Sequence, residues 1–161
     1  MLKVTKTQTG PEPLQLAVAK PYLRVTHEFD DVLINNIIKE ARKELEQKTN
    51  LSLVDSDIEL LLSNYRNSFT LPYRPINTVS VCELDGADII DSVVDGEIVR
   101  RGRGRLQVEY TTLAYPVSQL VMMEMTTFLY NNRGSAGLGY SVFPEMVKQW
   151  IANNTMNLWL Q

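Results

Sequence analysis

The chain has 161 residues, 44% of them hydrophobic, and 16 Lys and Arg against 19 Asp and Glu leave a net charge of −3. A chain of about 150 residues buries roughly 70% of its unfolded surface, so one soluble domain with its own core is expected, and a globally basic nucleic-acid binder is excluded. One cysteine, Cys82, and one histidine, His27, exclude a disulfide-stapled domain and a structural zinc site, and leave few groups for acid–base chemistry near neutral pH.

In chain order, residues 1–13 are polar, carry Pro11 and Pro13, and read as a flexible or extended N-terminal arm. Leu14, Val18 and Leu23 mark a short helix that Pro21 should kink or split. From Asp30 to Thr49, Leu33, Ile34, Ile37, Ile38, Ala41 and Leu45 recur at three- and four-residue spacing, which predicts one long amphipathic helix. Asp30 or Asp31 would cap its start and Asn50 would end it in the left-handed conformation. Between residues 51 and 112 the period drops to two. Ile58, Leu60 and Leu62, then Val79, Val81 and Leu84, then Leu106, Val108 and Tyr110 alternate, and Asp85-Gly86 and Asp95-Gly96 are hairpin-turn dipeptides. Pro72 and Pro75 make the stretch between them an extended linker. Pro116 precedes a second apolar stripe, Val117, Leu120, Val121, Met125, Phe128 and Leu129, and Pro144 can open a last helix bearing Met146, Val147, Trp150 and Ile151. The fold class expected from these elements is mainly α (α+β): a small helical bundle with a short antiparallel sheet or hairpin. The expected division is an arm over 1–13, one domain over 14–152 and a tail over 153–161.

The search for chemistry yields little. Gly134, Gly137 and Gly139 have the wrong spacing for a dinucleotide fingerprint and lie between helices, so they read as a loop. His27, Glu28, Asp30 and Asp31 are sequential and do not converge as divalent-cation ligands must. Cys82 sits in an apolar strand and behaves as a small core residue. No apolar run has signal-peptide length, and Leu120 to Leu129 is too short to span a bilayer and carries Glu124. No catalytic, cofactor-binding or metal site is expected, no membrane partner, and a reducing compartment.

Two features point to contacts. Arg100, Arg101, Arg103 and Arg105 interleave with Gly102 and Gly104. They read either as a solvated hairpin end or as a contact with DNA or an acidic partner surface. The segment from Trp150 to Leu160 concentrates Trp150, Met156, Leu158, Trp159 and Leu160. It either folds back on the core or presents a partner surface, for which Trp is favoured.

Four segments, in order, resemble the head–tail connector (adaptor) proteins of tailed bacteriophages. They are Leu16-Ala17-Val18-Ala19-Lys20-Pro21-Tyr22-Leu23-Arg24-Val25; the Asp-led helix with Ile37-Ile38-Lys39-Glu40-Ala41-Arg42-Lys43-Glu44-Leu45-Glu46; Leu71-Pro72-Tyr73-Arg74-Pro75-Ile76 leading into Val79-Ser80-Val81 and Asp85-Gly86; and Val108-Glu109-Tyr110-Thr111-Thr112 with the helix ending Phe128-Leu129-Tyr130-Asn131-Asn132-Arg133. Where the family often has a Gly after the Val-x-Tyr-Thr strand, this chain has Leu113-Ala114-Tyr115.

The resemblance implies a non-enzymatic virion protein without cofactors. It implies a ring, commonly twelvefold, beneath the portal, which extends the DNA channel and offers an attachment surface to the tail. Its partners would be copies of itself, the portal protein, tail-completion and tail proteins, and double-stranded DNA passing without sequence-specific binding. Its place would be the capsid–tail neck, with assembly in the host cytoplasm. On that reading the tail with Trp150 and Trp159 docks onto the portal or a neighbouring subunit, and Arg100 to Arg105 lines the channel or a subunit seam. A tail-completion or stopper protein of the same neck and a small nucleic-acid-binding regulator are the alternatives.

Overall fold

A computed structural model of the chain describes residues 1–66, 68–99, 102–133 and 140–155. The chain forms two compact units: Met1–Pro11 with Val54–Tyr115, and Glu12–Leu53 with the segment that begins at Pro116.

The first unit is all β. Its main sheet contains β1 (Leu2–Gln8), β2 (Ser56–Tyr65), β4 (Ile76–Leu84), β5 (Ala87–Asp88) and β8 (Gly104–Thr112) in the order β1-β2-β8-β4-β5. Every pairing in it is antiparallel. A second sheet joins β3 (Phe69–Thr70), β7 (Glu97–Ile98) and β6 (Val93–Val94) in the order β3-β7-β6. Alternation places Ile58 and Leu60 of β2, Cys82 of β4 and Leu106, Val108 and Tyr110 of β8 in one buried cluster, together with Tyr65, Leu71, Ile89 and Ile98. The Tyr110 hydroxyl, inside this cluster, donates to the Pro72 carbonyl at 2.7 Å. Both Asp-Gly dipeptides turn as expected. Asp85 and Gly86 have φ of 51° and 80°, and Asp95 and Gly96 have 48° and 74°, the paired positive angles of a two-residue hairpin loop.

The second unit is helical: α1 (Leu16–Leu23), α2 (Asp31–Thr49), α3 (Gln119–Asn131) and α4 (Glu145–Asn154). Helix α2 buries Ile34, Ile37, Ile38, Ala41 and Leu45 and ends on Asn50 at φ 58°, while Leu33, on the same stripe in the sequence, is exposed. Val121, Met122 and Met125 of α3 and Val147 and Ile151 of α4 are buried. The Phe128 and Phe143 rings meet edge to face at 5.6 Å. Pro21 lies inside α1 without splitting it, and the helix stops at Leu23, followed by Arg24 in the left-handed region.

The second unit also holds a buried ionic network. The Arg42 guanidinium donates to both carboxylate oxygens of Glu12, at 2.8 and 3.2 Å, and to Glu46 at 3.0 Å. The other Glu46 oxygen accepts the Leu53 N–H at 2.8 Å. Burial works against the charge on Arg42, but the hydrogen bond to Glu12 and the negative charges of Glu46 and Glu12 outweigh it and push its pKa upward.

The expectation of a mainly helical bundle with a short hairpin is wrong. The sheet is an equal partner, α+β in class, with central strands of ten, nine and nine residues. Apolar stripes make helices conspicuous, whereas strands that bury one face show only every second residue as apolar. Residues 1–13, expected as a flexible or extended arm, contain β1, which pairs with β2 from Leu2 opposite Leu62 to Gln8 opposite Ser56.

Candidate interaction surfaces

The arginine segment owes its shape to its glycines. A Cβ on Gly102 would lie 2.6 Å from Leu84, and one on Gly104, at φ +150°, would lie 2.1 Å from the Asp85 carboxylate. That carboxylate also accepts the Arg105 N–H at 2.7 Å. Gly102 and Gly104 are therefore pressed against β4 and its turn, and Arg103 and Arg105 are exposed. Gly104 and Arg105 open β8 and continue its period-two pattern, while Gly102 and Arg103 precede the strand. Arg100 and Arg101 lie outside the described residues.

The same side of the main sheet carries the odd residues of β8, namely Arg105, Gln107, Glu109 and Thr111. Beside them stand Asp57, Glu59 and Leu61 of β2 and Lys3, Thr5 and Thr7 of β1. Glu59 is the direct cross-strand partner of Glu109 on one flank and of Thr5 on the other. A depression of about 390 Å³ lies here, lined by Thr5, Thr7, Asp57, Glu59, Ser80, Glu109 and Thr111 among others. The Gln107 side-chain amide donates to Glu109 at 3.3 Å, and the Thr78 and Thr111 hydroxyls meet at 2.8 Å. Sequence reasoning misses this face because Glu59 and Glu109 are brought together only by strand register.

Trp150, the expected anchor of the tail, is half-buried on α4, between the fully buried Val147 and Ile151. Met156, Leu158, Trp159 and Leu160 lie outside the described residues, as does the glycine run at 134–139. An apolar feature absent from the sequence reading lies at the start of α2. Phe29 is 94% and Val32 74% exposed, and the His27 ring sits 5.7 Å from that of Phe29.

Asp30 and Asp31 do other work than capping. Asp30 stands at the N-cap of α2 without a side-chain cap bond. Its carboxylate accepts from the Tyr130 hydroxyl and faces Arg133 at 3.8 Å, while Asp31 pairs with Lys20. The two aspartates thus hold α2 to α3 and α1. Tyr22 donates to Glu124, and that hydrogen bond, with burial and the negative charge beside it, pushes its pKa upward. Burial, reinforced by the charge of Asp88, raises the Cys82 thiol to about 11, so it stays protonated and non-nucleophilic at neutral pH. Among the described residues no group of His, Cys, Asp and Glu is arranged to hold a metal ion, and no helix is long and apolar enough to cross a membrane.

The family model described as phage gp6-like head-tail connector protein matches residues 13–80. A chain in the neck of an empty gene transfer agent (GTA) particle, computed with C6 symmetry, is 19% identical with a TM-score of 0.66, and the likeness covers 94% of this chain and 95% of that one. A chain in the virion of the native GTA particle is 19% identical with a TM-score of 0.65, over the same 94% and 95%. A third, in the neck of the native particle computed with C12 symmetry, is 18% identical with a TM-score of 0.61, again over 94% and 95%. No curated protein matches the chain. The resemblance to head–tail connector proteins is borne out over residues 13–80, and the fold is shared over nearly the whole chain.

Proposed function

We propose that this chain is a structural subunit of a phage-type virion neck, a head–tail connector that closes with copies of itself into a ring around the DNA path. The observation that carries the proposal is the shared fold over 94% of the chain with a chain in the neck of a gene transfer agent particle, joined to the connector family match over 13–80. The symmetry of those necks, C6 and C12, supports a ring of twelve. A closed ring needs heterologous contacts, so each subunit must present two different complementary surfaces.

On this reading the protein works through shape and interfaces and catalyses no reaction. It sits beneath the portal, extends the channel for double-stranded DNA without reading its sequence, and offers its far side to tail-completion and tail proteins. The described units, β1 and α4 included, form the connector body, and the tail within 153–161, with Trp150 as the nearest anchor on α4 and Trp159 beyond it, docks onto the portal or a neighbouring subunit. Arg100, Arg101, Arg103 and Arg105 lie at the channel or at a subunit seam.

The test is to mix the purified chain with the portal protein of the same particle and weigh the product by native mass spectrometry. A portal complex bearing twelve copies is expected. A chain that ignores the portal and binds only a tail-completion protein would instead mark it as a stopper. A chain that binds neither would overturn the assignment to the neck.

A further inference from the structure

The outer face of the main sheet is electrostatically two-ended. Strand β8 carries Arg105 near its start and Glu109 and Thr111 towards its end on one side, with exposed Arg103 just before the strand and Glu83 of β4 opposite Gln107 between the two ends. At about 3.3 Å per residue, Arg105 and Glu109 are about 13 Å apart along the strand, too far to neutralise each other. Among the described residues, none of Lys3, Asp57, Glu59, Arg103, Arg105 and Glu109 forms an ion pair. The anionic end is also arranged at a cost. Glu59 and Glu109 are directly opposed across β2 and β8, a like-charge cross-strand pair that destabilises an isolated sheet. Beside them the depression is lined by the hydroxyl residues Thr5, Thr7, Ser80 and Thr111. Three carboxylates, Asp57, Glu59 and Glu109, with hydroxyl acceptors around them suit a planar guanidinium, which brings five donors and a fixed positive charge.

We propose that this face is the seam between neighbouring subunits, with Arg103 and Arg105 of one copy seated on the Glu59–Glu109 end of the next. The inference rests on the reading of the chain as a ring subunit and names the surfaces that close it. Charge complementarity selects the occupant. DNA is repelled by the anionic end, whereas a second copy of this chain brings matching cations, Arg103 and Arg105. Because each copy carries both ends, the contact propagates from subunit to subunit, as a heterologous ring requires.

The test uses the full chain and measures self-association by sedimentation velocity across a concentration series, with circular dichroism to verify folding. Glu59→Lys with Glu109→Lys, and separately Arg103→Glu with Arg105→Glu, should each weaken association by about tenfold or more. An equimolar mixture of the two variants should form mixed pairs, each joining an unchanged arginine end to an unchanged acidic end or the two reversed ends to each other. All four substitutions in one chain should restore association to within about threefold of wild type. The neutral pair Glu59→Gln with Glu109→Gln gives a readout of opposite sign. Relief of the like-charge contact should raise the melting temperature of the monomer while association falls. Association unchanged in both reversal variants would overturn the seam while leaving the ring standing. Loss with only one of the two, or no recovery when they are combined, would also overturn it. A wild-type chain that stays monomeric at every concentration and beside its portal would remove both the seam and the ring.

Discussion

Replacing Arg42 by Met removes the charge at the centre of the helical unit's ionic network while keeping most of the side chain's apolar stem. Arg42 is 5% and Glu46 2% exposed. Without the guanidinium, Glu46 keeps the Leu53 N–H but loses its countercharge in a place water scarcely reaches. Breaking a buried pair from one side costs about 3–5 kcal/mol. Glu12 adds less, because its side chain is 18% exposed and can rehydrate. Arg42→Met should therefore lower the unfolding free energy, measured by urea titration and linear extrapolation, by about 3–5 kcal/mol. Adding Glu46→Gln should recover at least about 1 kcal/mol, because the stranded charge is gone while an acceptor for Leu53 remains. A single variant that loses under about 1 kcal/mol, or a double variant whose losses simply add, would refute the view that the charge is held by this pairing.

Gly104→Ala places a methyl group against the Asp85 carboxylate at a backbone angle of +150°, and should cost about 1–3 kcal/mol in the same titration; an unchanged midpoint would mean that neither the angle nor the contact is strained by a side chain. The Cys82 thiol, raised from 9.0 to about 11, should resist a disulfide reagent at pH 8 in the folded protein and react once urea is added. Because the folded state holds this proton more tightly, the contribution is intact below about pH 9 and is lost as pH rises through 11, a fall of about 3 kcal/mol that Cys82→Ala should remove. Rapid native labelling at pH 8 would contradict it. Deleting residues 156–161, which leaves α4 whole, should abolish binding to the portal while leaving circular dichroism and unfolding unchanged, and retained binding would withdraw the docking role of that segment.

Helix α2 is readable residue by residue, because a nineteen-residue helix with a buried face repeats its apolar spacing several times. The Asp-Gly turns are equally plain, since few other dipeptides tolerate two positive φ angles. Strand β1 is not. It is an edge strand, exposed or half-exposed at every position, so its Lys and Thr residues look like those of an unstructured arm. Its pairing depends on β2, some fifty residues away, which no local pattern records. The two-residue strands β3, β5, β6 and β7 are too short for any period to show.

The interaction surfaces divide in the same way. The arginines are conspicuous as a charge run, but in a bare sequence their glycines look like turn residues. In the folded chain a Cβ at Gly102 would displace the Leu84 side chain, and Gly104 takes a backbone angle of +150° beside the Asp85 carboxylate. The opposing Glu59 and Glu109 cannot be paired from the sequence, since their meeting is a consequence of strand register.

The ring is tested most directly by cryo-electron microscopy of the neck of the particle that carries this protein, reconstructed without imposed symmetry. Copies of this fold should appear as one closed circle under the portal, with the genome path through its centre. Density for the chain elsewhere in the particle, or a neck fully built from other proteins, would contradict the assignment.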